Sequence, residues 1–231
     1  MNLHRFIGDF AVSGETEIII TDPKIIKQMR AVLRFDVGDR LALSDGKGKE
    51  QEVLVASTGP KEIVCQIVKK VESKEPARKV HLYLAILKKE NFELAVQKAV
   101  EGGASKITPV ITERTIKTRL NFARLEKIIK EASEQSGRNI VPTLSPISNF
   151  QDALLSSMSE EKNIFHLVNL AYTPNPKAEN VDIFVGPEGG FTEKEIELAK
   201  NSGFRIASLG SLTLRGETAA IIGTYRAVYA I

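Results

Sequence analysis

The sequence predicts an α/β protein in two parts: a small strand-rich module over residues 1–72 and a larger domain over 73–231 built on a parallel sheet. Three observations carry this. Short apolar runs separated by turn signals fill the first 70 residues. A polar stretch follows at 72–79, Glu-Ser-Lys-Glu-Pro-Ala-Arg-Lys, with the composition of a linker. Beyond it strands and helices alternate, the pattern of a parallel sheet covered on both faces.

In the first module the expected strands are 5–8, 17–20, 40–44, 51–57 and 62–71. Ser13-Gly14, Asp45-Gly46 and Thr58-Gly59-Pro60 separate them. One helix interrupts the series, from Pro23 to about Phe35. Proline suits a first helical turn, and Asp22 or Thr21 can cap it. The sum is a small β-barrel-like module with one helix. After the linker, 80–87 reads as a buried strand. Phe92, Ala95, Val96, Ala99 and Val100 recur at helical spacing, and Gly102-Gly103 ends that helix. Strand 106–111 comes next, then a helix marked by Phe122, Leu125, Ile128, Ile129 and Ala132. Runs 163–170 and 181–185 are short apolar strands. Thr192 and Glu195 form a capping box that opens a helix to about Asn201, with Gly203 just past its end. A last strand at 204–209 and a last helix at 218–231 close the chain.

Composition narrows the function classes. No run of about 18 apolar residues exists, so no membrane span is expected. Residues 1–12 carry His4, Arg5 and Asp9 and lack an apolar core, so no signal peptide is expected. One cysteine, Cys65, cannot form an internal disulfide, and its run Ile63-Val64-Cys65 reads as buried; a cytoplasmic home fits. Three widely spaced histidines and one cysteine give no metal pattern. Charge is uneven. Residues 1–72 hold 11 basic and 11 acidic side chains, 73–150 hold 14 and 8, and 151–231 hold 7 and 10. The middle stretch is the candidate anion-binding surface, against the plainer reading of a solvated helix face.

Ligands of parallel α/β domains sit beyond the carboxyl ends of the strands. Two such ends stand out. Gly186-Pro187-Glu188-Gly189-Gly190-Phe191-Thr192 lies between a strand and a capped helix, where glycine lets backbone approach a ligand closely. A plain turn needs one or two of these residues, not five in a row. Leu209-Gly210-Ser211-Leu212-Thr213-Leu214-Arg215-Gly216-Glu217 again links strand to helix. Arg215 and Glu217 alone read equally as an ion pair at a helix start. Leu212 and Leu214 on a glycine-bearing loop suggest the wall of an apolar pocket. Neither loop has the spacing of a dinucleotide or triphosphate loop. The residues by themselves lead to a small-molecule pocket between two strand-end loops.

Those two motifs resemble the bacterial 16S ribosomal RNA uracil-N3 methyltransferases of the SPOUT superfamily. Val32-Leu33-Arg34, Val37-Gly38-Asp39, Gln97-Lys98-Ala99, Thr108-Pro109, the run Glu131 to Arg138, and Val141-Pro142 extend the resemblance over the whole chain. Glu101-Gly102-Gly103 and Arg114-Thr115 depart mildly from the family pattern. The resemblance implies a trefoil knot in the C-terminal domain, an exception to the rule that chains are unknotted. It also implies a PUA-like RNA-binding barrel at the N-terminus, a homodimer, and S-adenosylmethionine as methyl donor. Leu167, Gly186, Glu188, Gly189, Leu209, Gly210 and Leu214 would line the donor site.

The implied reaction methylates N3 of a uridine in 16S ribosomal RNA or the small ribosomal subunit, with no metal required. Arg215 is the candidate cation beside a uracil carbonyl, and Glu217 or Glu188 the candidate proton acceptor. Glu188 reads equally as a brace of its own loop. Arg5, Arg30 and Arg34 are candidate RNA contacts in the first module, Arg34 alternatively pairing with Asp36 or Asp39. Arg114, Lys117, Arg119 and Arg138 are candidates in the middle stretch. Rival readings are a relative acting on transfer RNA or a ribose 2′-hydroxyl, and a catalytically silent assembly factor that binds RNA.

Overall fold

A computed structural model describes residues 3–13, 16–73, 75–116 and 119–231. Its contacts divide the chain into two compact units, Met1–Glu75 with Ser133–Val141, and Pro76–Ala132 with Pro142–Ile231.

The first unit is a six-stranded mixed sheet. Its strands are β1 (Arg5–Ile7), β2 (Ala11–Ser13), β3 (Glu17–Ile20), β4 (Arg40–Ser44), β5 (Glu50–Thr58) and β6 (Ile63–Val71), in the order β1-β4-β5-β6-β3-β2. β1 runs parallel to β4 and the other pairs are antiparallel. Inward residues of β1, β3, β4, β5 and β6 make the core with Ile25, Ile26 and Met29. Cys65 is fully buried there, and burial pushes its thiol up to about 11. Asp22 caps α1 (Pro23–Lys27) by accepting from Lys24 N at 2.8 Å. The helix expected to reach Phe35 stops being α-helical at Lys27. Gln28–Val32 winds as a π-helical turn closed by Leu33 N on Gln28 O, and Met29 stays in the core.

Residues 133–141 come from the middle of the sequence but belong to this unit. Ile7 N donates to Glu134 at 2.8 Å, and the Asn139 carbonyl accepts from Gly48 N at 2.9 Å. Gly46 has φ of +70°, and a side chain there would meet Ile7 and Val141 at 2.9 and 3.0 Å. A glycine is what permits both the turn and the close approach.

The second unit is a parallel sheet with the order β10-β8-β7-β12-β11-β13, and β9 also on β8. Its strands are β7 (Lys79–Ala85), β8 (Lys106–Ile111), β9 (Thr143–Leu144), β10 (Ser148–Asn149), β11 (Glu161–Phe165), β12 (Asn180–Val185) and β13 (Arg205–Ala207). Every pairing is parallel. Helices α2 (Lys89–Glu101), α3 (Phe122–Ser136), α4 (Phe150–Leu155), α5 (Glu193–Asn201) and α6 (Gly216–Tyr229) accompany it. The last turn of α3 passes into the first unit. β11 and β13 end earlier than expected, because 166–170 and 208–215 leave the sheet as loops at its carboxyl edge.

The polar stretch 72–79 is anchored at two of its residues. Glu75 receives Arg138 at 2.6 Å, both side chains under a tenth exposed. Arg78 donates to the carbonyls of Ala178 and Ala227 at 2.9 and 2.7 Å and pairs with Glu161 at 2.9 Å. With the Asn175 carbonyl as a fourth acceptor, this buried guanidinium holds better than an exposed pair. No described helix is long and apolar enough to cross a membrane.

Candidate functional site

The carboxyl ends of β7, β11, β12 and β13 surround a cleft of about 660 Å³. That volume falls within the range of about 300–1,000 Å³ common to small-molecule sites. Three segments build most of it: Phe165–His166–Leu167 beyond β11, 185–191 beyond β12, and 208–217 beyond β13 into α6.

The first loop is tight because its residues permit little else. Gly190 N bonds Pro187 O at 2.8 Å, and Gly190 has φ of +68°. A Cβ on Gly186 would meet the Phe191 ring at 3.0 Å. Two side chains tie the loop to its surroundings, one reaching out of it and one reaching in. Glu188 Oε1 accepts from Lys88 N at 3.1 Å, and Arg114 donates to Gly189 O at 2.7 Å. Thr192 and Glu195 then complete the expected capping box of α5.

The second loop is anchored where it leaves the sheet. Ser208 N bonds Leu170 O at 2.7 Å, and the Ser208 hydroxyl donates to Gly210 O. Leu209, Leu212 and Leu214 then face the cleft with Leu167; Leu212 is 78% exposed and Leu167 58%. Four leucines around one cleft, two of them largely in solvent, form a surface that burial by a ligand would stabilise.

Arg215 and Glu217 both line the cleft but stand in opposite environments. Arg215 is the N-cap of α6, exposed, with extended backbone and no side-chain cap bond. Glu217 lies one residue inside the helix and is 8% exposed. Among the described residues, its Oε2 and the Thr224 hydroxyl are the buried side-chain oxygens that no group hydrogen-bonds. Leaving such an acceptor unpaired costs roughly 1–3 kcal/mol, more for a charged one. Gly216 between them packs so closely that a Cβ would stand 2.8 Å from Leu87. The cleft therefore offers apolar walls, glycine backbone and one carboxylate side chain in its wall. That set suits a ligand with an apolar ring and a positively charged or proton-donating group.

Leu167, Gly186, Glu188, Gly189, Leu209, Leu214, Arg215 and Glu217, singled out in the sequence, all line this cleft. Gly210 belongs to the same loop without lining it, and nothing stands within 4 Å of where its Cβ would be. Lys88 and Asn91 at the start of α2, and Phe165 and His166, complete the walls and were not anticipated. Lys88 follows directly on the strand read at 80–87, so applying the strand-end rule to that strand as well would have found it.

The arginines named as RNA contacts fall into two groups. Arg5 makes a two-bond pair with Glu50 at 2.7 and 2.8 Å, and Arg138 is buried against Glu75. Arg30, Arg34, Arg114 and Arg119 are exposed. Arg34 adopts φ of +56°, and Arg30 donates to Gly59 O at 3.1 Å. Lys117 lies outside the described residues. Among the described residues no three His, Cys, Asp or Glu side chains gather as a metal would need.

Residues 73–226 match the family described as the RNA methyltransferase domain. The ribosomal RNA small subunit methyltransferase E of Mesomycoplasma hyopneumoniae is 35% identical over 188 residues, covering 74% of this chain and 79% of its own. The protein of the same name from Rickettsia conorii is 29% identical over 229 residues, covering 96% and 93%. Among solved structures, the ribosomal RNA small subunit methyltransferase E of Neisseria gonorrhoeae bound to S-adenosyl methionine superposes with a TM-score of 0.87. It is 30% identical, and the match covers 96% of this chain and 95% of that one. With two thirds of its residues inside the family match and the cleft at the carboxyl edge of that same domain, this chain belongs to the RNA methyltransferase family.

Proposed function

We propose that the protein is an S-adenosylmethionine-dependent methyltransferase that acts on N3 of a uridine in 16S ribosomal RNA of the small subunit. The observation that carries this is the cleft between the two strand-end loops, with Glu217 in its wall. S-adenosylmethionine, when bound, supplies a methyl group made electrophilic by its sulfonium. The residues present fit it. Leu167, Leu209, Leu212 and Leu214 suit the flat adenine. The glycine loop 186–190 lets backbone come close, and the carboxylate of Glu217 suits a cationic neighbour.

The chain's own groups then divide the work. The imide N–H of uracil must lose its proton before N3 can attack. Glu217 lines the cleft, and its carboxylate, one oxygen of which no group hydrogen-bonds, is the candidate acceptor of that proton. Glu188 already holds Lys88 N, so it braces the loop. Arg215 is exposed at the cleft, and its fork of donors matches a uracil carbonyl on which charge builds as the proton leaves. The target base must leave its stack to reach such a cleft. Arg34 on the first unit and Arg119 on the second are exposed and can meet phosphate, as can Arg30 beyond its bond to Gly59 O, while Arg5 and Arg138 support the fold.

The same reading assigns the first unit a PUA-like RNA-binding role and the carboxyl-edge loops a trefoil knot. It also makes the protein a cytoplasmic homodimer. An exposed stripe on α6, Ile222, Tyr225 and Tyr229, with the two tyrosine rings 4.6 Å apart, supports the dimer. The test is methyl transfer from labelled donor to small-subunit RNA, transfer RNA and an unmodified small subunit in parallel. Label is expected on 16S ribosomal RNA, as free RNA or in the subunit. Label on transfer RNA alone would overturn the substrate assignment.

A further inference from the structure

Arg114 stands on the loop after β8, far in sequence from the glycine loop, yet its guanidinium donates to Gly189 O at 2.7 Å. Its stem lies over the same residue. A Cβ on Gly189 would stand 3.3 Å from Arg114 Cδ and 3.5 Å from its Cβ. The neighbouring residues fasten the two loops further. Glu113 N donates to Glu195 Oε1 at 2.9 Å, and the Thr192 hydroxyl donates to Glu113 Oε2 at 3.3 Å. A turn closed by Thr112 N on Thr115 Oγ1 at 2.9 Å presents Glu113 and Arg114 together.

The peptide between Gly189 and Gly190 is thereby held at both ends. Its carbonyl is fixed by Arg114 and its N–H by Pro187 O. Two adjacent glycines lose more conformational freedom on ordering than any other pair, and nothing in their own side chains can resist it. A cation clamped on the carbonyl orders them before a ligand arrives, which is how preorganisation raises affinity.

We propose that Arg114 is a positioning residue of the donor site: it sets the Gly189 peptide in the geometry that binds S-adenosylmethionine. The assignment rests on the donor-site reading above. It gives Arg114 a task different from a phosphate contact, and the two tasks separate in experiment. The experiment titrates S-adenosylhomocysteine into the full-length protein and into Arg114→Ala, Arg114→Lys and Leu214→Trp, the last filling the cleft itself. Arg114→Ala is expected to bind about tenfold more weakly, the loss of one charge-assisted bond at an exposed site. Arg114→Lys should recover part of that, since an ammonium can also donate to the carbonyl. In turnover the KM for the donor should rise with the binding loss while kcat at saturating donor falls less. RNA affinity without donor, and its salt dependence, should stay at the parental values. Undiminished donor affinity in Arg114→Ala, with Leu214→Trp unable to bind, overturns the positioning role alone. Undiminished affinity in both overturns the donor site and this assignment with it.

Discussion

Arg215 and Glu217 flank Gly216 and differ in what surrounds them, so their substitutions should separate. Arg215→Ala is expected to lower turnover by about 100-fold, the scale of losing one donor to a developing charge. Donor affinity should stay nearly unchanged, because the donor is itself cationic, and raising the pH should restore part of the rate. Glu217→Gln should also cut turnover. Removing a carboxylate oxygen with no partner should leave thermal stability unchanged or raised, as at sites where function opposes stability. Loss of stability in both variants with turnover intact would return the pair to a structural role. A second titratable pair lies elsewhere in the sheet. His81 donates or accepts at Thr108 Oγ1, 2.7 Å away, and sits 3.8 Å from Asp182. Burial, helped by the charge of Lys106, holds His81 at about 3, well under its ordinary 6.5. The unfolded chain therefore takes up a proton below about pH 6.5 that the folded chain refuses, and stability falls as pH drops through that window. Asp182, raised mainly by burial, has the opposite sign at lower pH. Urea unfolding should show about 1–2 kcal/mol lost between pH 7 and 5 in the parent. His81→Asn should lose less, and equal losses would refute the assignment.

At the scale of elements, helices and long strands were legible because their periods are. The 3–4 spacing from Phe92 to Val100 and from Phe122 to Ala132 produced α2 and α3, and Thr192 with Glu195 produced the start of α5. β9, β10 and α4 were not, because two-residue strands and a six-residue helix carry no period to read. The α-helix over 23–35 was overread for a related reason: the pattern Ile25, Ile26, Met29 fits a π turn as well as an α turn. α6 began two residues earlier than expected because the cap is the extended backbone of Arg215, which no capping side chain announces. Of the site, the first loop was legible because five turn-forming or charged residues in a row exceed what a turn requires, and the second because Leu212 and Leu214 stand on a glycine-bearing loop between strand and helix. Phe165 and His166 were not, since they read as the interior of a strand over 163–170 and β11 ends at Phe165, whereas Lys88 was within reach of the same strand-end rule. Helix α6 packs through Gly223 onto Phe165, and any Cβ there runs into the ring. Gly223→Val should therefore cost about 1–3 kcal/mol in chemical denaturation. Gly210→Ala, with nothing within 4 Å and no positive φ, should be neutral; similar losses in both would contradict this packing.

At the scale of the molecule, the surplus of basic side chains in 73–150 is partly spent inside the fold. Arg78 and Arg138 are buried in ion pairs, and Arg124 is paired with Glu93 at 2.7 Å. The charge count alone could not show this, because burial of a long side chain depends on partners distant in sequence. The exposed stripe of α6 should be covered by a second copy. Tyr225→Asp with Tyr229→Asp is expected to convert a dimer to a monomer by light scattering, and a parent that is already monomeric would remove the dimer. The assignment of N3 as the target stands or falls on where the methyl group goes. The most direct measurement digests 16S ribosomal RNA treated with the protein and S-adenosylmethionine and resolves the nucleosides by mass spectrometry. Parental protein is expected to yield 3-methyluridine at one position, and Leu214→Trp to yield none. A methyl group on a ribose 2′-oxygen, or no methylated uridine at all, would contradict it.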